Sequence, residues 1–83
     1  PQKKIHALVI PKGKYIDLDD FSSKATPKEM TGLLKGINTV AKKLGISVDT
    51  GKGYRAITNI SIDGGQEVPH LHFHFPVQLP TRQ

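Results

Sequence analysis

His70-Leu71-His72-Phe73-His74-Phe75 is the stretch on which the reading of this chain turns. Successive side chains of a β-strand point to opposite faces. Read as a strand, the segment sets three imidazoles on one face and Leu71, Phe73 and Phe75 on the other. Neighbouring imidazoles then stand about 6–7 Å apart, two residues of strand rise. The apolar face asks for a core beneath it. The other face is a row of nitrogen bases that titrate near neutral pH. Of the four histidines, only His6 lies outside the row. Just upstream, Asp63-Gly64-Gly65-Gln66 reads as a flexible turn rich in backbone N–H groups. Together they suggest a phosphate site beside a histidine nucleophile.

Working outward, the residues before the turn alternate. Tyr54, Ala56, Thr58, Ile60 and Ile62 share one face; Arg55, Ile57, Asn59 and Ser61 share the other. This predicts a half-buried strand over 54–62, a turn over 63–67 and a further strand over 68–75, the two strands forming a hairpin. Pro76 and Pro80 are expected to end that strand and begin a tail. Near the start, residues 5–10 are a nearly continuous apolar run closed by Pro11-Lys12-Gly13-Lys14, which predicts a buried strand and a turn. Residues 15–23 read as an irregular connection, with Ile16, Leu18 and Phe21 covering a core edge. Residues 48–53 read as a polar loop.

The strongest helix signal lies between. Thr26 suits the N-cap, Pro27 the first helical position, and Glu29 completes a capping box. Met30, Leu33, Leu34, Ile37, Val40, Ala41 and Leu44 repeat at helical spacing, and Gly45 is a natural stop. Gly32 and Gly36 share a face, which predicts close approach of a neighbouring element, with a small-residue ligand groove as the alternative. The fold class expected is α+β: an antiparallel sheet packed on one long helix. One helix cannot cover three strands fully, so open edges remain for a partner chain or a missing segment to fill.

Eighty-three residues make one small domain with a marginal core. There is no cysteine, which excludes disulfides and thiolate zinc sites. No apolar run reaches membrane-spanning length and no signal pattern is present, so a cytoplasmic, membrane-free protein is expected. The chain begins with Pro1, which suggests a fragment or a trimmed start. The net charge of +5 suits polyanions or phosphate ligands, though a solvated lysine face is the simpler reading. No aromatic residues interleave the basic ones, so no specific nucleic-acid partner is expected.

Three chemical readings of the histidine row stand side by side. A purely structural row carries solvation and like-charge costs when protonated. A metal site could use His-x-His with Glu67, Asp63 or His6 as a third ligand. Covalent catalysis would use one neutral imidazole to attack phosphorus, with its other nitrogen oriented by an acceptor. Backbone N–H groups of Gly64, Gly65 and Gln66, with the amides of Asn59 and Gln66, could then hold the phosphoryl oxygens.

The His-x-His-x-His pattern, the Gly-Gly-Gln before it and His6-Ala7-Leu8-Val9-Ile10-Pro11-Lys12 far upstream resemble the histidine-triad (HIT) superfamily. They are most similar to its Hint branch of purine nucleoside phosphoramidate hydrolases. The resemblance spans about residues 1–80. It implies a HIT-like fold completed by a homodimer, a purine nucleotide substrate, no cofactor, and hydrolysis through a nucleotidyl-histidine. By position it implies His72 as nucleophile, His74 as its phosphate-facing neighbour and His70 as its orienting member. Asn59, Gly65 and Gln66 match phosphate or leaving-group contacts. Glu67 stands where the family often has Ser or Thr, and Ser61 where it often has glycine. The family's preceding segment, with much of the base pocket, has no counterpart here, so residues 1–83 read as a single domain truncated at its N-terminus. Some bacterial members bind zinc through two cysteines and histidines matching His6 and His70; without cysteine that set is incomplete. The alternatives are a catalytically weak remnant that binds nucleotide or phosphate, and a His-based metal module.

Overall fold

The computed structural model describes Lys4–Ile5 and residues 7–78. His6 and Pro80 lie outside the described residues. The elements are β1 (Lys4–Ile5), β2 (Leu8–Val9), α1 (Leu18–Lys24), α2 (Pro27–Lys43), a single 3-10 turn (Val48–Thr50), β3 (Phe73–His74) and β4 (Val77–Gln78).

The first and last described strands pair with each other. β1 runs antiparallel to β4, with Lys4 opposite Gln78 and Ile5 opposite Val77. β2 runs antiparallel to β3, with Leu8 opposite His74 and Val9 opposite Phe73. The register is the same in both ladders, so they form one ribbon interrupted in the middle. Phe75 N donates to Ala7 O at 3.3 Å within the interruption. Pro76, next in the chain, has no N–H to give. The expectation that Pro76 ends the strand is therefore corrected: it breaks the ladder, and pairing resumes at Val77.

Three further strand expectations are corrected. Residues 54–62 are not a strand. Only Ile57 pairs, exchanging bonds of 3.0 and 2.9 Å with His74. The expected strand over 68–75 shortens to Phe73–His74, because 68–70 bend where His70 N donates to Val68 O at 2.8 Å across Pro69. The predicted strand over 5–10 is likewise shorter, at Leu8–Val9 beside β1. A ladder extends only where both partners keep free N–H and C=O groups in register. Turns at 61–65 and 68–70 use those groups locally.

α2 forms where local chemistry demands it. Glu29 N donates to Thr26 Oγ1 at 3.1 Å, and Thr26 N donates to Glu29 Oε1 at 2.9 Å. This capping box satisfies two N–H groups that a helix start leaves bare. At the far end Gly45, at φ 71°, lets Ile46 N reach Ala41 O and its own N reach Lys42 O, each at 3.0 Å. That is a Schellman closure, with buried Ala41 and Ile46 as its apolar contact. Leu33 and Ala41 are buried, and Met30, Ile37 and Val40 pack around them. Leu34, expected in the stripe, is 67% exposed.

α1 replaces the irregular connection expected over 15–23. Asp17 caps it, its Oδ1 accepting from Asp20 N at 2.7 Å, and Asp19 and Asp20 suit the positive end of the helix dipole. Its Phe21 is buried and meets Tyr15 edge-on at a centroid distance of 5.0 Å. The reading of Gly32 and Gly36 as a close-approach face is also corrected. A Cβ on Gly32 would meet nothing within 4 Å, and one on Gly36 only Val9 Cγ1 at 3.9 Å. Both glycines instead line a groove of about 410 Å³ between α2 and residues 9–13.

The core joins these parts. Leu71 and Phe75 are both 0% exposed, and Val9, Phe21, Leu33, Ala41 and Ile46 surround them. The apolar side of the histidine segment thus faces the helices.

Candidate active site

With Leu71 and Phe75 turned into the core, the imidazoles take the opposite face of the segment. The rings of His72 and His74 lie 6.1 Å apart between centroids and 34° out of parallel. His70 precedes them in the bend rather than on a strand. Its ring Nε2 is buried and has no hydrogen-bond partner among the described residues.

One contact sets the chemistry of His72. Its Nδ1 lies 2.8 Å from the carbonyl oxygen of His70. A carbonyl only accepts, so the proton of a neutral His72 must sit on Nδ1. Nε2 is then left with a free lone pair. The same backbone geometry that buries Leu71 between the two histidines therefore fixes the tautomer of the second.

His74 stands between two neighbours. Directly opposed residues of an antiparallel pair share a face. Ile57 lies opposite His74 on one side and Leu8 on the other, so the histidine face is flanked by aliphatic side chains. Leu8 is 61% exposed there. Asn59 follows Ile57 by two residues, and Ile10 follows Leu8 by two.

The turn that leads into the triad is closed on itself. Gly64 N donates to Ile60 O at 3.2 Å, Gly65 N to Ile62 O at 3.0 Å, and Gln66 N to Ser61 O at 2.9 Å. The expectation of three free N–H groups for a phosphate is therefore corrected, because the turn spends all three on its own carbonyls. The Gln66 amide is spent as well. Its Nε2 donates to Ile16 O at 2.6 Å and to Val68 O at 2.9 Å, and its Oε1 accepts from Ser61 N at 2.9 Å. Asn59 Nδ2 donates one hydrogen to Gly64 O at 2.7 Å, and its second hydrogen remains in its chemistry. Glu67 is exposed directly after the turn. Sequence reasoning missed Tyr15 and Ile16 as supports. Tyr15 O accepts from Leu71 N at 2.7 Å, inside the triad itself. Nothing local to Tyr15 signals a bond to a residue more than fifty positions away.

Among the described residues, no three His, Cys, Asp or Glu side chains group as a metal site. The weak metal pairing of His6 with His70 involves a residue outside the described ones. No helix is long and apolar enough to cross a membrane.

A helix-backed antiparallel ribbon carrying three alternating histidines defines a class, and comparison with known proteins identifies it. The HIT domain family model matches residues 1–80, and the chain belongs to the HIT family. An uncharacterized 13.2 kDa HIT-like protein of Azospirillum brasilense is 49% identical over 74 residues, covering 89% of this chain and 58% of its own. An uncharacterized HIT-like protein of Helicobacter pylori is 46% identical, with 89% and 64% covered. Among solved structures, a HIT family hydrolase from Clostridium thermocellum superposes with TM-score 0.70 at 35% identity, over 86% of this chain and 58% of that one. A histidine triad protein from Clostridium difficile gives 0.65 at 38% identity, over 94% and 66%. The chain thus spans about three fifths of the length of the curated relatives named here.

Proposed function

We propose that this chain carries the phosphate-handling part of a nucleotide hydrolase of the HIT type. Its substrate would be a nucleoside 5′-monophosphate joined to an amine or similar leaving group. The observation that carries the reading is the bond between His72 Nδ1 and the His70 carbonyl, which leaves Nε2 a nucleophile. In this reading His72 Nε2 attacks phosphorus. The Nε2–P bond forms and the bond from phosphorus to the leaving group breaks. The amine departs with a proton, for which Glu67 is the nearest carboxyl in sequence to the triad. Water then attacks the nucleotidyl-histidine, releases the nucleoside monophosphate and restores His72. His74 and the second amide hydrogen of Asn59 face the phosphoryl charge. Gly65 serves as a turn residue.

The likeness to a HIT family hydrolase from Clostridium thermocellum supports hydrolysis as the reaction. The exposed aliphatic flank at Leu8 supports a substrate with an apolar portion. A homodimer would cover the exposed Leu34 on α2, and a purine nucleotide would be the small-molecule partner. A cytoplasmic setting fits such a substrate. A second reading, a nucleotide or phosphate binder with little turnover, is favoured by the turn before the triad, where the N–H groups of Gly64, Gly65 and Gln66 are spent on its own carbonyls rather than free for a phosphate.

The test is turnover of adenosine 5′-phosphoramidate by the 83-residue chain and by His72→Ala, with mass spectrometry for an adenylylated protein. Turnover and the adduct in the parent, with both lost in the variant, is the expected result. Undiminished turnover in His72→Ala refutes the mechanism. Tight nucleotide binding without turnover supports the binder instead.

A further inference from the structure

We propose that Gln66 is a positioning residue which, without touching substrate, holds His72 in its reactive tautomer. For its kinetic consequence the inference rests on the hydrolase reading above; for the tautomer it does not.

A carboxamide offers two hydrogens and two lone pairs. Gln66 uses both hydrogens and one lone pair on the backbone of three separate stretches: Ile16, Val68 and Ser61. The partners settle which end is nitrogen, since Ile16 O and Val68 O only accept and Ser61 N only donates. No amide hydrogen remains for a phosphate. A phosphoryl group could recruit one only by breaking a bond of 2.6 or 2.9 Å.

What the side chain holds is the approach to the triad. Val68 O accepts from Gln66 Nε2 and also from His70 N, at 2.8 Å. That second bond closes a three-residue turn about Pro69, whose ring fixes φ. The turn sets the direction of the next peptide, and the carbonyl of that peptide, His70 O, receives the proton of His72 Nδ1. On the other side Gln66 ties Ile16 O, while the adjacent Tyr15 O takes Leu71 N at 2.7 Å. The segment from Val68 to His72 is thus pinned at the carbonyl of its first residue and at the N–H of its fourth. Gln66 supplies the first pin and stiffens the support of the second.

Gln66→Met keeps the length and removes all three polar contacts. Free of its acceptor, His72 divides its proton between Nδ1 and Nε2. The experiment is nitrogen-15 NMR of the His72 ring at a pH above its titration, in the parent chain and in Gln66→Met. The expected result is a parent protonated at Nδ1 and a variant with a visible Nε2–H population. With the phosphoramidate substrate, kcat falls by roughly ten- to a hundredfold, the scale of a misplaced reactive group, while KM stays within about twofold. A large rise in KM with an unchanged tautomer would show that Gln66 touches substrate and would overturn the proposal. Absence of turnover in both proteins counts against the hydrolase reading alone, because the tautomer measurement still decides this one. If Gln66→Met does not fold, Gln66→Glu replaces it: it keeps the Ser61 contact, cannot donate to Val68 O, and is expected to give the same tautomer mixture.

Discussion

Ser61 is a non-glycine residue at positive φ, 59°, in the turn that leads to the triad. A side chain in that left-handed region costs about 1–2 kcal/mol, because Cβ crowds the following carbonyl. Its backbone is fully engaged: Ser61 N donates to Gln66 Oε1 and Ser61 O accepts from Gln66 N, both at 2.9 Å. Ser61→Gly keeps both bonds and removes the crowding. Glycine returns about 0.5–1 kcal/mol through the greater freedom of the unfolded chain. The net expectation is stabilisation by about 0.5–1 kcal/mol. For a domain of this size that raises Tm by about 2–8 °C. Gly65, at φ 75°, gives the mirror experiment. A Cβ there would meet nothing within 4 Å, so only the backbone conformation is charged. Gly65→Ala should lower stability by a similar amount. Thermal and urea unfolding of the two variants measures both. Destabilisation by Ser61→Gly, or an unmoved midpoint in Gly65→Ala, would refute the view that left-handed strain in this turn is set by φ alone.

Two further outcomes follow from the framework of the fold. The Thr26 backbone N–H, and then the Tyr15 hydroxyl, hold the Glu29 carboxyl below its ordinary value of 4.5. A carboxylate with a lowered folded pKa adds stability that is present above 4.5 and lost as pH falls through the folded value. The gap in urea midpoint between parent and Glu29→Ala should therefore be widest near neutral pH and narrow as pH falls below the ordinary 4.5; a gap independent of pH would contradict it. Phe75→Ala empties a fully buried site beside Tyr54, whose ring centroid is 5.3 Å away. A loss of about 3–5 kcal/mol is expected, much of what a small domain has, so the cooperative unfolding transition should weaken or vanish in calorimetry.

The sequence was most informative where structure is local. Thr26, Pro27, Glu29 and Gly45 place both ends of α2, because caps and closures involve residues three to five apart. The inward turn of Leu71 and Phe75 was equally legible from alternation. α1 was missed although Asp17, Asp19 and Asp20 carry a start signal, since seven residues show too little periodicity. The strand over 54–62 failed for the opposite reason. Its alternation is clear, but a strand needs a partner in register, and only Ile57 finds one. The turn donors failed because composition counts N–H groups without showing which carbonyls consume them.

The bonds hidden from the sequence are the ones that assemble the site. Tyr15 OH donates to Glu29 Oε2 at 2.8 Å, at the start of α2. Tyr15 O takes Leu71 N, and Ile16 O takes the Gln66 amide. Two consecutive residues thus join the cap of the long helix, the interior of the triad and the turn before it. The β3 ladder itself is only two residues long and could not hold three histidines in line. The rigidity of the histidine segment comes instead from a connection that carries none of the three histidines. Its cost in chain entropy is shared with the helix cap that the fold needs in any case.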